Sequence, residues 1–398
     1  MIRMSEPAFQ KRELVPSVRL TEGDLHQFYG YYDNPSFSGN DRYHLVHRVP
    51  FCDRLQQAGD RAEIGMIELA SGAYTALAET TAWNFQQGSM LQWNPAAPDE
   101  EIIYNVTLDG QYRAAVLNVR TQAIRYMEQP VANVDPTGRL ALSINFGRMF
   151  DFRPGYGYAD IVDPFKNEHH PAEDGVYCID VKTGASKLVL SLEAIWSFLK
   201  PIFQAEEAKL TINHITFNTD GSRFLFLARW TPASQQRGHL TALLTANADG
   251  SGLQCLSTST MQSHYHWRDP GKFVMWGGGP EGSQLYEYDD VPFDSGAPSV
   301  LDAGYFLRDG HCSYSPDRNW LLYDSYPDRD SLRHLYVYDL KRKVGTTLGS
   351  YYSPPAITGD IRCDLHPRWS RSGTSISFDS THEGHRHVYA MDLRELLK

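Results

Sequence analysis

Four histidines, His214, His264, His311 and His366, are spaced 50, 47 and 55 residues apart, and each opens the same short phrase. The clearest copies are His311-Cys-Ser-Tyr-Ser-Pro-Asp-Arg318 and His366-Pro-Arg-Trp-Ser-Arg-Ser-Gly373; the others are His214-Ile-Thr-Phe-Asn-Thr-Asp-Gly221 and His264-Tyr-His-Trp-Arg-Asp-Pro-Gly271. Neutral imidazoles that converge in a confined space bind a divalent cation, and nitrogen-rich sites suit zinc, manganese, iron or nickel. His214, His264, His311 and His366 are therefore the expected metal ligands. His266 lies two residues past His264 on the same strand face and is a fifth candidate. Asp364, two before His366, is a possible carboxylate ligand or an acceptor behind one. The alternative is a hydrogen-bonded ring of histidines with a purely structural role. The chain has no Cys-x-x-Cys, Gly-rich phosphate loop, Ser nucleophile elbow or His-Glu-x-x-His motif.

The elements that must position these residues are hairpins. After each phrase a Pro/Asp/Gly-type turn leads into a second apolar strand, Trp320-Leu-Leu-Tyr-Asp324 in one copy and Ser375-Ile-Ser-Phe-Asp379 in another. Without the histidine, the frame also fits 34–41 and 131–138, and more loosely 90–96, which makes seven copies. Four short strands in a repeat of roughly 40–50 residues are the signature of a β-propeller. The expected fold is all-β: a seven-bladed propeller with four-stranded antiparallel blades, one domain over residues 1–398. The last unit ends at Val388-Tyr-Ala-Met-Asp-Leu393 with no room for a fourth strand. The N-terminal segment around Leu14 to Leu20 is expected to supply it and close the ring, because an open ring leaves sheet edges exposed. In a propeller the first strand of each blade is innermost, so equivalent positions meet at one rim of the channel.

Composition narrows the class. Hydrophobic content of 41% with 12% aromatics supports a globular core, and no apolar run approaches the ~20 residues of a membrane span. The five cysteines are odd in number and scattered, which argues against a disulfide framework, and the first residues do not resemble a signal peptide; cytoplasm is the expected location. A formal net charge of −11 disfavours nucleic acid or an anionic membrane as partner, while local arginines can still hold a small anion. The oligomeric state is not legible.

Several further stretches carry large polar and aromatic side chains. Phe28-Tyr-Gly-Tyr-Tyr-Asp33 precedes the first inner strand, and Arg48 follows the second. Trp83-Asn-Phe-Gln-Gln87 combines aromatics and amides, as a sugar face and its hydroxyls require. A loop insertion at 147–174 holds Arg148, Tyr156, Tyr158 and His169-His170, and insertions of this length are usually functional. A second insertion, 191–205, has helical spacing up to Pro201. Arg229 ends the second strand of the fourth unit, and Arg362 precedes the last inner strand.

His311-Cys-Ser-Tyr-Ser-Pro-Asp, Cys363-Asp-Leu-His-Pro-Arg-Trp-Ser and Phe378-Asp-Ser-Thr-His-Glu-Gly384 resemble the oligogalacturonate lyases and related seven-bladed polysaccharide lyases, most clearly over residues 210–393. The resemblance implies a manganese-type divalent metal, manganese or zinc, held by channel histidines. It also implies a histidine and an arginine beside the metal for β-elimination of a uronate. Two departures stand out. The family's His-x-His-Pro is Asp364-Leu-His366-Pro here, and its His-Glu-Gly-Pro-Trp is replaced by Leu227-Ala-Arg229-Trp230.

The expected function is thus a lyase for a uronate-containing oligosaccharide of oligogalacturonate, ulvan or rhamnose–glucuronate type. Elimination needs the C6 carboxylate neutralised, the C5 proton removed and the leaving oxygen protonated. The expected catalytic residues are His266, Tyr158 and Tyr32 for proton transfer, with Arg148 and Arg229 on carboxylates. Arg48, Trp83, Gln87, Tyr156 and Arg362 are expected to contact substrate. The rival class is a non-catalytic, metal-stabilised propeller acting as a binding or scaffold protein.

Overall fold

The computed structural model describes residues 10–235 and 238–398, which form seven antiparallel sheets arranged as the blades of a propeller. Blade four shows the pattern: Thr211–Phe217, Arg223–Trp230, Leu240–Asn247 and Gln254–Ser257 run from the channel outward. Blades five, six and seven begin at Gln262–Asp269, Cys312–Tyr314 and Arg368–Trp369, and blades two and three at Gln92–Trp93 and Asn133–Val134. The repeated phrase explains the architecture. Its aromatic position, occupied by Phe37, Trp93, Phe217, Trp267, Tyr314 and Trp369, packs outward into the layers between blades. Most of these side chains are buried, and the indole of Trp93 donates to Ser36 O of the preceding blade. The apolar clusters lie between neighbours: Leu225 and Leu227 of blade four meet Trp267 and Phe273 of blade five, and Leu322 of blade six meets Phe378 of blade seven. A blade cannot bury both of its faces alone, so the ring is the smallest unit with a closed core.

The N-terminal segment closes the ring twice. Ser17–Arg19 pairs with His387–Asp392 as the fourth strand of blade seven, in the register Ser17↔Met391. The preceding Lys11–Glu13 adds a fifth strand to blade six, paired with Val344–Tyr352.

Blade one departs from the expected frame. Its inner strand is His26–Phe28, paired with Tyr43–Val49, and the phrase at 34–41 contributes only a bridge from Phe37 to His44. Residues 29–36 leave the sheet between these two pairings, which carries Tyr31 and Tyr32 into the channel. Gly30 permits the turn: its φ is +120°, and a Cβ there would sit 2.8 Å from the carbonyl carbon of Gln87.

The 147–174 insertion is more ordered than a loop. It opens with a helix, Phe146–Phe152, whose N-cap Asn145 accepts a hydrogen bond from the Arg148 amide, and continues into a 3-10 turn, Pro154–Tyr156. The second insertion is a helix, Leu192–Phe203, capped by the Ser191 hydroxyl and ending at left-handed Gln204. Pro201 lies in its last turn and does not end it at once, because the helix packs its buried face of Leu192, Ile195, Trp196 and Leu199 against the ring. Among the described residues, no helix is long and apolar enough to cross a membrane.

Candidate metal centre and active site

The channel histidines meet, but not as a symmetric ring. His311 and His366 approach to 3.1 Å through their Nε2 atoms. Their other nitrogens are committed. His366 Nδ1 lies 2.8 Å from the carbonyl oxygen of Gly30, which can only accept, so this nitrogen carries the hydrogen. His311 Nδ1 lies 2.9 Å from Asp324 Oδ1, and the same carboxylate accepts the backbone N–H groups of His311 and His366. Both Nε2 atoms therefore present lone pairs to one another, an arrangement stabilised when a cation lies beside them. Asp364 supplies the charge: its carboxylate lies 3.9 Å from His366 Nε2, and His311, Asp364 and His366 can place one ligand atom each within 4.8 Å of the others. Two imidazoles and one carboxylate form a donor set for a divalent ion that leaves coordination positions free for substrate or water.

The electrostatics keep these donors in ligating form. Burial pushes His311 and His366 well below the usual histidine range, each further depressed by a neighbouring histidine, so both are neutral at physiological pH. Burial alone would push the Asp364 carboxyl up, but the guanidiniums of Arg362 and Arg333, at 2.7 and 2.6 Å, hold it well below the usual carboxylate range. The backbone at His366 and at His214 is left-handed, with φ of +42° and +47°. Such strain persists only where surrounding contacts over-determine it, and it concentrates at functional sites.

His264 and His214 fall outside this group of ligand atoms. His264 packs on His311 with ring centroids 4.0 Å apart, and its Nδ1 lies 3.1 Å from Asp309 Oδ1. This carboxylate accepts the hydrogen of Nδ1, so in the neutral ring the lone pair is on Nε2. His214 sits on a bulge between Asn213 and Ile215, and its Nδ1 is hydrogen-bonded to the Tyr31 hydroxyl instead of facing the pair. Burial makes it neutral as well.

Arg229 is the least satisfied cation of the site. It is 3% exposed, and its Nε and Nη1 atoms have no hydrogen-bond partner among the described residues. Burial, then the nearby charge of Arg153, lowers its pKa to about 10; Tyr156, Tyr326 and Asp309 surround it. A buried guanidinium with two unpartnered nitrogens is costly and is poised to take a carboxylate. Arg362 donates to the Tyr156 hydroxyl at 2.8 Å and to the Tyr326 hydroxyl at 3.3 Å. The Tyr156 ring stands edge-on to His214, 5.6 Å between centroids.

The remaining expected site residues lie elsewhere. Tyr32 is inside the channel, 5.2 Å from His311 between centroids, but its hydroxyl is spent on the Tyr265 carbonyl and burial pushes its pKa well up, so it forms a wall instead of an acid. His266 faces a different cavity and accepts from the Tyr314 amide. Tyr158 is stacked on Phe146 within the insertion's own core, with Asn105 donating to its hydroxyl. Arg148 is buried and consumed by Asp163 and by the carbonyls of Phe165, Glu168, His169 and Leu210; it fastens the insertion. Trp83 packs against Phe28 and Phe85, and its indole donates to Asp60 O. Arg48 lies over the Tyr74 ring in blade one and donates to Gln27. Gln87 lines a small cavity beside His214.

Asp324, Asp309, Tyr326 and Arg333 were not foreseen. For Asp324 a signal existed: it ends the second strand of blade six, and Asp379 stands one residue before the end of that of blade seven. Asp379 accepts the amides of Tyr29 and Gly30, as Asp324 accepts that of His366. In both blades, this carboxylate fastens the channel entry of the next blade.

No family model matches the chain, and no curated protein matches it in sequence. Solved structures match it in shape. An oligogalacturonate lyase from Vibrio parahaemolyticus superposes with a TM-score of 0.66 at 13% identity, covering 96% of this chain and 95% of that one. An oligogalacturonate lyase in complex with manganese gives 0.66 at 15% identity, covering 99% and 96%. The β-propeller domain of the Trilobed protease from Pyrococcus furiosus gives 0.52 at 8% identity, covering 92% and 96%. At such identities the likeness is one of fold.

Proposed function

We propose that the chain is a lyase acting on a uronate-containing oligosaccharide by metal-assisted β-elimination. The observation that carries this reading is the pair of facing Nε2 lone pairs of His311 and His366, set beside Asp364 in the same channel as Arg229, whose Nε and Nη1 are unpartnered among the described residues. The manganese complex of a similarly folded oligogalacturonate lyase adds support. His311, Asp364 and His366 would hold the ion, which would help to neutralise the carboxylate of the bound uronate and the charge that develops when its C5 proton leaves. Arg229 pairs with the same carboxylate and screens it from water. His264, with Nδ1 held by Asp309, accepts the C5 proton at Nε2. The C4–O bond then breaks, and the leaving oxygen takes a proton from Tyr156, whose hydroxyl is polarised by Arg362. The product carries a C4–C5 double bond.

All four channel histidines are only 2–4% exposed, so substrate entry requires movement above them. Tyr326 packs against His264 and His311, and Tyr156 against His214; the 3-10 turn Pro154–Tyr156 is latched by the Gly155 amide to Asp360 and by Gln56 to the carbonyls of Pro154 and Gly157. The same burial favours a second reading, a propeller in which the ion is structural and no substrate enters. A panel of uronate oligosaccharides assayed for ultraviolet absorbance of the unsaturated product separates the two. Absorbance on any uronide, lost on metal removal, supports the lyase. No product from galacturonate-, ulvan- or rhamnose–glucuronate-type oligomers by the metal-loaded protein supports the scaffold.

A further inference from the structure

The other end of the channel is a second chamber. It is a cavity of about 400 Å³ to which all seven blades contribute. The third position of the repeated phrase is polar in every blade: Ser36, Gln92, Asn133, Thr216, His266, Ser313 and Arg368. Six of these, Ser36 excepted, line the chamber, since first and third positions share a strand face. Tyr32 closes it on the side toward His311.

Its polar groups are not satisfied by one another. Asn34 is 3% exposed, and neither its Oδ1 nor its Nδ2 has a hydrogen-bond partner; Asp33 Oδ1, Ser313 Oγ and Arg371 Nη2 are likewise buried and unpartnered among the described residues. Arg318 and Arg371 both reach the chamber, and neither has a carboxylate within ion-pairing distance among the described residues. Arg318 is held there by a left-handed turn, with φ of +61°. His266 Nδ1 accepts from the Tyr314 amide, which leaves its Nε2–H as a donor. Three arginines, Arg318, Arg368 and Arg371, line the chamber against one carboxylate, Asp33, so its charged lining is cationic on balance. The tryptophans Trp267 and Trp369 form part of the wall. A concave, largely pre-formed site with a few convergent polar groups is how small ligands are held.

We propose that this chamber binds a small oxyanion, a carboxylate or phosphate carried on a hydroxylated molecule, with Arg318, Arg371 and His266 as donors and Asn34 reading a hydroxyl. This chemistry is shared by inorganic phosphate and by a free sugar acid. The chamber uses none of Arg229, His264, His311, Asp364 and His366, so the site is independent of the function proposed above.

The test is calorimetric titration of the full chain with sodium phosphate and, separately, with glucuronate, alongside tryptophan fluorescence. Saturable binding of either probe is expected, with the responding probe identifying the source. Arg318→Gln and Arg371→Gln should each weaken it by ~10- to 100-fold, the loss expected for a hydrogen bond to a charged group. Arg229→Gln should leave the binding that depends on Arg318 and Arg371 unchanged. Binding lost only in Arg229→Gln, or no saturable binding of either probe by the wild-type protein at ~10 mM, a weak limit for a specific site, would overturn the proposal. Should the arginine variants not fold, crystals of the wild-type chain soaked in selenate decide it. Anomalous density between Arg318 and Arg371 supports the chamber; density confined to the outer surface overturns it.

Discussion

His311 and His366 point unprotonated Nε2 atoms at one another across 3.1 Å, because Asp324 and the Gly30 carbonyl have claimed the hydrogens on their far sides. Protein purified without a polyhistidine tag should contain about one divalent ion per chain, and His311→Ala, His366→Ala or Asp364→Asn should remove it. Asp324→Asn should weaken retention by ~10- to 100-fold, the usual loss when a group that orients a ligand is changed. Elemental analysis after dialysis checks both. Full occupancy in the two alanine variants would exclude this centre.

His264 and Asp309 should behave as base and orienting group. Replacing His264 by Gln should lower turnover by ~10²–10⁴ while the bound ion remains, as for a lost general base. Asp309→Asn should shift the pH profile as well as the rate, because it alters which imidazole nitrogen carries the hydrogen. Steady-state rates across pH, on whichever uronide is active, read the difference. Wild-type turnover in His264→Gln would assign the base elsewhere.

Arg229→Gln separates function from stability. A buried guanidinium with unpartnered nitrogens destabilises the fold, so the variant should melt at or above the wild-type temperature. Its KM for a uronide should rise at least tenfold, a loss of ~1.4 kcal/mol in carboxylate binding. A variant that melts well below wild type would mean that Arg229 is a structural residue.

Arg148 should show the opposite pattern. Its ion pair with Asp163 is buried on both sides, and removing one partner of such a pair typically costs ~3–5 kcal/mol. Arg148→Met should therefore lower the urea midpoint and expose 147–174 to protease. Unchanged stability would contradict the fastening role.

Acid should destabilise the fold in a defined window. His47 is wholly buried: its Nδ1–H donates to Tyr29 O, its Nε2 accepts from the Ser89 amide, and burial lowers its pKa to about 4. A histidine whose folded pKa lies below its unfolded value near 6.5 contributes stability that is present above pH 6.5. That stability is lost as pH falls toward 4. The contribution at stake is on the order of 3 kcal/mol, at about 1.4 kcal/mol per unit. Burial raises Asp33 to about 7, and the sign there is opposite: stability is lost as pH rises from 4 to 7, which partly offsets the histidine slope. Melting temperatures from pH 7 to 4 should fall less steeply in His47→Gln than in wild type.

The fold was legible because a propeller repeats its instructions. The aromatic of each phrase must enter an interblade layer, and the missing last strand had to come from somewhere. The site was legible only as far as that repetition extends. Equivalent frame positions brought His311 and His366 together, but the bulge at His214 and the excursion that inserts Tyr31 belong to single blades. Which imidazole nitrogen is free depends on Asp309 and Asp324, and a residue's own frame position does not report its neighbour's hydrogen bonds. Arg148 and Tyr158 misled for another reason. An insertion rich in charge and aromatics can serve a ligand or can spend those groups on folding itself, and the composition is the same.

The double closure by the N-terminal segment sets an order of events. Lys11–Glu13 grips blade six and Ser17–Arg19 grips blade seven, the two blades that contribute His311 and His366. The strands at 11–13 and 17–19 can dock only after 344–352 and 387–392 have been synthesised, so they wait unpaired while the blades between them are made. Such long-range closure is slow because the loop entropy is lost before any contact compensates for it. The histidine pair is therefore assembled late, across the seam where the ring is sealed. A nascent or N-terminally nicked chain would carry six formed blades and a slack seventh, with the facing nitrogens of His311 and His366 held by only one side of the joint.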